Sequence, residues 1–361
     1  MRPHGHCHAR AYNENPQTRV VAAADRDEKT LEQFCRRFNV PGYTDYQEML
    51  GKEKIDIVAP VLPVKVNPDV VVGAARLGVK AVFCEKPIAA VLSDADRMVE
   101  ECRKHNVVFQ CGDAYRALPQ YWQAKAIIDS GELGPVQSVV MHEPTIEISG
   151  GGCQGLSLMR LDAGDSEIDW VTGWVGGDPW SNEDQNMGGV IRFSNGVEGY
   201  VMPKATARRG IEVHCARGLF FADWRTFKLF KLRDGVQAGR AFWEDLEEMP
   251  GALPESGAYD TSYDSDGWRV TGPRTTASIE SLVDALETGV EPRSSGDNQR
   301  RVLEIAIAFR ESHRRGHAPV KLPLEDRSLA LYPHPTRWNN KKDVYGSEKY
   351  DSTFEVIKRT K

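Results

Sequence analysis

The chain lacks any apolar run long enough to cross a bilayer: stretches such as VVAAA and AVFC end after a few residues, where a spanning helix needs about twenty. It lacks a charged-then-apolar leader with a small-residue cleavage site, so nothing signals export. Its seven cysteines are scattered singly, without paired spacing. That excludes a disulfide framework and leads us to expect reduced thiols and a cytoplasmic protein. An excess of positive charge is missing too. With 46 Lys and Arg against 52 Asp and Glu, the formal net charge of -6 makes no electrostatic case for nucleic acid or an anionic membrane. Internal repeats are absent. What remains, 40% hydrophobic and 27% charged, is ordinary for a soluble globular protein. At 361 residues the chain is long for one core, so two domains are expected.

The first third alternates short apolar strands with helical patterns. TRVVAAAD (18–25), IDIVAPVLP (55–63), KAVFCEKP (80–87) and VVFQCG (107–112) read as strands. Between them, residues 27–39 have helical spacing, Asn67 and Pro68 open the helix that ends at Gly78, and Ser93 caps SDADRMVEECRKHN. Strand and helix in this alternation predict right-handed crossovers and a parallel sheet. From residue 119 the texture changes. The helix PQYWQAKAIIDSGELG leads to VQSVVMHE, the glycine-rich loop SGGGCQG, a helix over roughly 166–175, and then alternating strands with NG (195–196) and DG (234–235) turns. Residues 251–275 read as a loop, 276–289 and 297–314 as helices, and the tail as a polar extension. The expected domains are 1–118, 119–330 and the extension 331–361. The fold class is a parallel α/β domain followed by an α+β domain with a largely antiparallel sheet.

The opening MRPHGHCHARAY places His4, His6, Cys7 and His8 within five residues. Adjacent Cys7 and His8 point apart in any regular structure, which argues against a metal site there. A dinucleotide-binding fold begins with a strand and G-x-G-x-x-G, followed about 20 residues later by a ribose-binding acid. Counting back from Asp25, the third glycine is Gly5, Arg2 holds the second glycine's place, and the first glycine and the first strand fall before Met1. The stretch therefore reads as a clipped phosphate loop leading into a helix, from a chain whose start lies further upstream. The expectation is weak NAD binding by this sequence as written.

CEKP (84–87) leaves a buried strand at the edge where parallel sheets place ligands. Taken in order, the strand ending in an acid, EKP, GDAYRALP (112–119), ELGPVQSV and GGG…D-x-G-x-x-x-x-D resemble the Gfo/Idh/MocA family of glucose–fructose oxidoreductase and inositol dehydrogenase, over roughly residues 5–320. The resemblance implies a Rossmann domain, its first strand missing here, plus a second domain with a large, mostly antiparallel open sheet used for oligomerisation, hence a homodimer or homotetramer. It implies Lys86 as the lysine at the reacting hydroxyl, Asp162 as the acid of D-x-G-x-H, and Tyr115 and Arg116 near nicotinamide and substrate. Ser166 stands where that motif has its histidine. The dinucleotide-binding set so implied is Gly5, His8, Asp25, Arg26, Pro63, Glu85 and Lys86, with no metal. Where members commonly read T-P-N-x-x-H, this chain has Leu62, Pro63, Val64 and Asn67.

Serine cannot take a hydroxyl proton at neutral pH as a histidine can, a service worth about 10²–10⁴-fold. Lys86, if burial and neighbouring charge depress its pKa, is left to move it, or Asp162 or a water to relay it. Asp25 favours NAD by accepting from the ribose 2′-hydroxyl, while the neighbouring Arg26 keeps NADP open. The leading expectation is an NAD(P)-dependent oxidoreductase acting on a sugar, sugar acid or cyclitol. The alternatives are an NAD-dependent glycosidase that oxidises, eliminates and re-reduces, and a non-catalytic scaffold. Trp170, Trp174 and Trp180 read as sugar-stacking, core or interface residues, Lys204, Arg208 and Arg209 as an anion contact, a solvated strand end or a subunit contact, and His142 with Glu143 as a substitute acid–base pair or a sheet position remote from the site.

Overall fold

The computed structural model describes residues 3–112, 115–142, 148–183, 185–203, 209–223, 225–254 and 272–338, the side chains of 3–7, 148 and 336 excepted. The expected loop and tail therefore fall partly outside the described residues, as do Glu143, Lys204 and Arg208. In chain order the elements are α1 (Pro3–Glu14), β1 (Ala23–Ala24), α2 (Glu28–Phe38), β2 (Gly42–Tyr43), α3 (Tyr46–Lys52), β3 (Ile57–Val58), α4 (Asn67–Arg76), β4 (Ala81–Glu85), α5 (Leu92–Lys104) and β5 (Val108–Gly112). There follow α6 (Pro119–Asp129), β6 (Val136–His142), α7 (Cys153–Asp162), β7 (Ile168–Val175), β8 (Met187–Phe193), β9 (Glu198–Met202), β10 (Gly210–Cys215), β11 (Gly218–Ala222), β12 (Phe227–Leu232) and β13 (Leu246–Glu248). The chain closes with α8 (Pro273–Thr288), α9 (Gly296–Arg314), β14 (Val320–Lys321) and α10 (Pro335–Trp338).

Two compact units result, 1–114 with 260–300 and 333–361, and 115–259 with 301–332. The sequence reading ran the second domain unbroken from 119 to 330; instead the chain returns to the first unit with α8. The cause is apolar: Ile279, Leu282 and Val283 of α8 pack with Ala11 and Tyr12 of α1 against Ala81 and Phe83 of β4. The first unit's strands are all parallel, in two ladders, β1–β2 and β3–β4–β5. Among the described residues no ladder joins the two. Helix α1 touches both, because Ala9 packs with Ala23, Leu31 and Phe34. β1 and β3 are two residues each, much shorter than the runs 18–25 and 55–63 suggest. Neither Asn67 nor Ser93 caps its helix: α4 and α5 begin after Val66 and Val91 without a side-chain cap. The tail is not wholly irregular either, since α10 forms and Arg337 accepts from the Val64 amide at 2.9 Å.

The second unit is a nine-stranded sheet in the order β13-β12-β11-β10-β6-β9-β8-β7-β14, antiparallel except where β6 meets β9. Helix α7 covers the face carrying Met141 and Gly199. The helix expected over 166–175 is the strand β7, and the glycine loop before it is a wide helical turn (Ile148–Gly152) running into α7. Gly164 and Asp165 both take left-handed backbone angles, φ 74° and 54°, which ends α7. Beyond them Ile168, Val171 and Val175 are buried while Asp169 and Trp174 are exposed, so β-branched residues and alternation favour a strand.

Gly173 of β7 faces Gly189 of β8, and the Phe309 ring of α9 fills the notch. A Cβ on Gly173 would stand 2.2 Å from that ring and 2.4 Å from the Gly188 carbonyl oxygen. Gly173→Ala is therefore expected to cost about 1–3 kcal/mol, read as a lowered denaturation midpoint. An unchanged midpoint would show that the ring moves freely.

The outer edge of β7 pairs with β14 only at Trp170 and Val171. Further along, side chains of α9 and its following turn take over the ladder. Gly173 N donates to Ser312 Oγ (2.9 Å), Val175 N donates to His313 Nδ1 (3.3 Å), and His317 Nδ1 donates to the Gly173 carbonyl (3.0 Å). This blunts an edge strand without a further strand. His313 stacks on His317, ring centroids 4.7 Å apart. Burial, and then His317, hold the His313 pKa below its ordinary 6.5, with Asp178 opposing. A depressed histidine makes the folded state bind fewer protons than the unfolded one, so stability drops as pH falls through 6.5 toward the folded value. The Val175 amide, corrected for intrinsic rate, is expected to exchange faster at pH 5 than at pH 7; equal protection would refute the assignment.

Candidate functional site

In the first unit the site is built at the end of β4, the carboxyl edge of a parallel ladder. Glu85 is held from several sides. Its amide donates to the Pro60 carbonyl (3.3 Å), its carbonyl accepts from Asn67 Nδ2 (3.3 Å) and the Cys111 thiol (3.8 Å), and its carboxylate meets His8 Nε2 at 2.9 Å. Lys86, half-buried, follows, joined to Pro87 by a cis peptide. Pro63 is half-buried in the segment after β3. Asp25 ends β1: its amide donates to the Tyr43 carbonyl and its carboxylate accepts from the Asp27 amide, both at 3.0 Å. Arg26 beside it is exposed, and Gly5 lies in the first turns of α1. A half-buried acid just past β1 and a half-buried lysine leaving β4 both stand at the carboxyl ends of parallel strands, the edge at which such sheets take ligands. His8 does not join that set. It is 7% exposed, its ring lies 5.0 Å from that of Phe83, and it is spent on Glu85.

In the second unit, the buried Arg116 is the centre of a polar cluster. It donates to the Ser157 carbonyl (2.7 Å) and to Asp165 Oδ2 (2.5 Å), and its guanidinium lies 5.9 Å from the Trp122 ring centroid. Arg160 donates to the carbonyls of Asp165 (3.2 Å) and Ser166 (3.3 Å). Burial pulls the Arg160 pKa down to about 10, Asp165 opposing. Tyr115 is buried, and its carbonyl accepts from the Leu118 amide. The structure thus gathers Arg116, Asp165 and the Ser166 backbone around the turn after α7.

Asp162 corrects the sequence reading. The sequence reading set it just ahead of a helix over roughly 166–175. It is instead the last residue of α7, about 14 Å along the axis from the helix start. Ser166 lies in the turn beyond, its hydroxyl 2.9 Å from that of Ser194. The Asp162 carboxyl is buried and neither oxygen has a hydrogen-bond partner. Burial pushes its pKa up to about 8, Arg116 and Lys125 opposing, and burial followed by Asp162 itself pushes the Cys215 thiol to about 12. His142 also changes partner: its Nε2 lies 3.6 Å from Glu212 on β10, and Glu143 is outside the described residues. Arg209 is exposed, as is Trp180, beneath the Arg314 guanidinium.

Sequence reasoning missed the roles of Asn67 and Arg160, and the real partner of His8. Only the buried polar positions flanking EKP and the α7 turn could have signalled them.

Residues 4–113 match the GFO_IDH_MocA model, described as an oxidoreductase family with an NAD-binding Rossmann fold. The myo-inositol 2-dehydrogenase of Thermotoga maritima is 26% identical over 81% of this chain and 88% of its own length. The 2,7-anhydro-N-acetylneuraminate hydratase of Mediterraneibacter gnavus is 31% identical, but over 35% of this chain and 33% of its own length. Among solved structures, an Agrobacterium radiobacter oxidoreductase in complex with NAD+, L-tartaric acid and magnesium shares the fold, with a TM-score of 0.71, 18% identity, and coverage of 88% of this chain and 95% of that one. Residues 4–113 thus carry the NAD-binding Rossmann domain of the Gfo/Idh/MocA oxidoreductases, and the chain with its broad antiparallel sheet is similar to them in fold.

Proposed function

We propose that the protein moves a hydride between NAD and a hydroxyl-bearing carbon of a sugar, sugar acid or cyclitol, with Lys86 handling the hydroxyl proton. The observation that carries this reading is the end of β4, where Glu85 is fastened by α1, α4 and β5 and Lys86 comes next at the ligand edge of the sheet. Bound NAD supplies the hydride acceptor or donor. What the chain must supply is orientation and a proton carrier. Asp25 would hold the ribose diol, and Lys86 would hydrogen-bond the reacting oxygen.

Asp162 is left out of this assignment, because the structure seals it at the far end of α7. Ser166 stands where the resemblance puts the motif's histidine, which leaves the proton to Lys86. The named activity of the Thermotoga relative supports the cyclitol class. That of the hydratase relative supports a second reading, in which elimination or hydration follows transient oxidation. We further propose a homo-oligomer. Trp174 and Met202, 43% and 44% exposed, flank Gly188 on the sheet face away from α7.

The test is a panel of cyclitols, aldoses and sugar acids with NAD, followed both at 340 nm and by product chromatography. Stoichiometric NADH with one class supports dehydrogenation. Product without NADH favours the second reading, and no NAD binding at all removes both.

A further inference from the structure

We propose that His8 is a positioning residue: through the Glu85 carboxylate it fixes the end of β4, and with it the direction in which Lys86 leaves the sheet. This rests on the reading of Lys86 as the proton carrier.

The link is long-range, 77 residues apart in sequence, and short in space, 2.9 Å between His8 Nε2 and Glu85 Oε1. The two side chains are 9% and 23% exposed. A surface pair of this kind contributes little, whereas a sealed one holds its geometry. Successive residues of an extended chain point to opposite sides, so pinning Glu85 into α1 fixes the rotation of the backbone that presents Lys86.

The environment of His8 argues against a role in packing alone. Its ring already lies against Phe83, and a purely apolar side chain there would fill the space without a polar atom to satisfy. Instead Nδ1 is buried with no hydrogen-bond partner. A buried orphan nitrogen is destabilising, which an imidazole kept only for stability would not offset. What the imidazole adds is the single contact to Glu85.

Helix α1 is also the element common to both parallel ladders. Ala9 packs beside β1, which ends in Asp25, and Ala11 and Tyr12 pack on β4, which ends in Glu85. His8 lies between those contacts. The His8–Glu85 bond therefore ties the ribose-side acid and the lysine to one rigid helix, and displacement by about 1 Å at such a site costs on the order of 10²-fold in rate.

The test compares His8→Ala and His8→Gln with the wild type. Glutamine places an amide nitrogen near the position of Nε2 and does not titrate. Each full-length protein is assayed for kcat, KM, NAD affinity by fluorescence titration and kcat against pH, using the substrate found in the panel. Amide exchange at Cys84 and Glu85 is measured alongside and needs no substrate. We expect His8→Ala to lower kcat by about 10- to 100-fold with KM and NAD affinity within a few-fold. Faster exchange at Cys84 and Glu85 should accompany that loss, and His8→Gln should recover most of both with the pH inflections unmoved. Equal losses in the two variants, a changed pH profile in His8→Gln, or unaltered kcat and exchange in His8→Ala would each overturn the proposal. Lys86→Ala separates the two layers: normal turnover in that variant removes the reading of Lys86 itself, whatever the His8 variants do.

Discussion

Asp162→Asn raises the stability of the protein at pH 8 and flattens its dependence on pH from about 4 upward. The Asp162 carboxyl is sealed at the end of α7 with both oxygens unpartnered, and burial moves its pKa from 3.8 to about 8. In that window the folded state keeps a proton that the unfolded state has released. Fewer protons on the unfolded chain means stability falls as pH rises, by at most about 1.4 kcal/mol per unit. Above the folded pKa the loss is complete. Arg116 and Lys125 reduce it but do not cancel it. Asparagine has nearly the same shape and never ionises, so the variant carries no such slope, and the gap to the wild type widens with pH. Urea denaturation at pH 5, 6.5 and 8 measures this. Parallel curves for the two proteins would mean that Asp162 is solvated or paired in solution.

The second large effect is on turnover. Lys86→Ala lowers kcat by about 10²–10⁴-fold, the usual worth of a positioned proton carrier, while NAD affinity stays within a few-fold. Lys86→Arg does not rescue it, since a guanidinium stays protonated at working pH and cannot accept the hydroxyl proton. Stopped-flow hydride transfer with saturating substrate isolates the step. An alanine variant within tenfold of the wild type would assign the proton to another group.

The legible parts of the molecule were those written in local pattern. The apolar run AVFC followed by EKP marks β4 and the edge it leaves, and NG and DG mark real turns, with Gly196 and Gly235 at φ 91° and 81°. Asp25 could be singled out because spacing along one βα unit is a local property. The failures share a cause. Asp162 was placed by matching the string D-A-G, but a motif's meaning depends on the element beneath it, and α7 ends within that string. β7 was misread because its start follows two left-handed residues that no periodicity announces. The His8–Glu85 bond joins positions 77 apart, and Arg116 meets Asp165 across 49. Such pairs follow from topology, which a single sequence does not display. The return of α8 is the same lesson at larger scale.

That return also bears on how the protein is made. On the ribosome, β4 and β5 emerge long before Ile279, Leu282 and Val283, which complete the cover over Phe83 and Ala81. At about 5–20 residues per second, the intervening stretch of about 170 residues leaves this apolar face exposed for roughly 10–30 s. The first unit cannot finish folding as it is translated. It must wait, with its sheet face open to chaperones, for a helix encoded after nearly all of the second unit has passed through the exit tunnel.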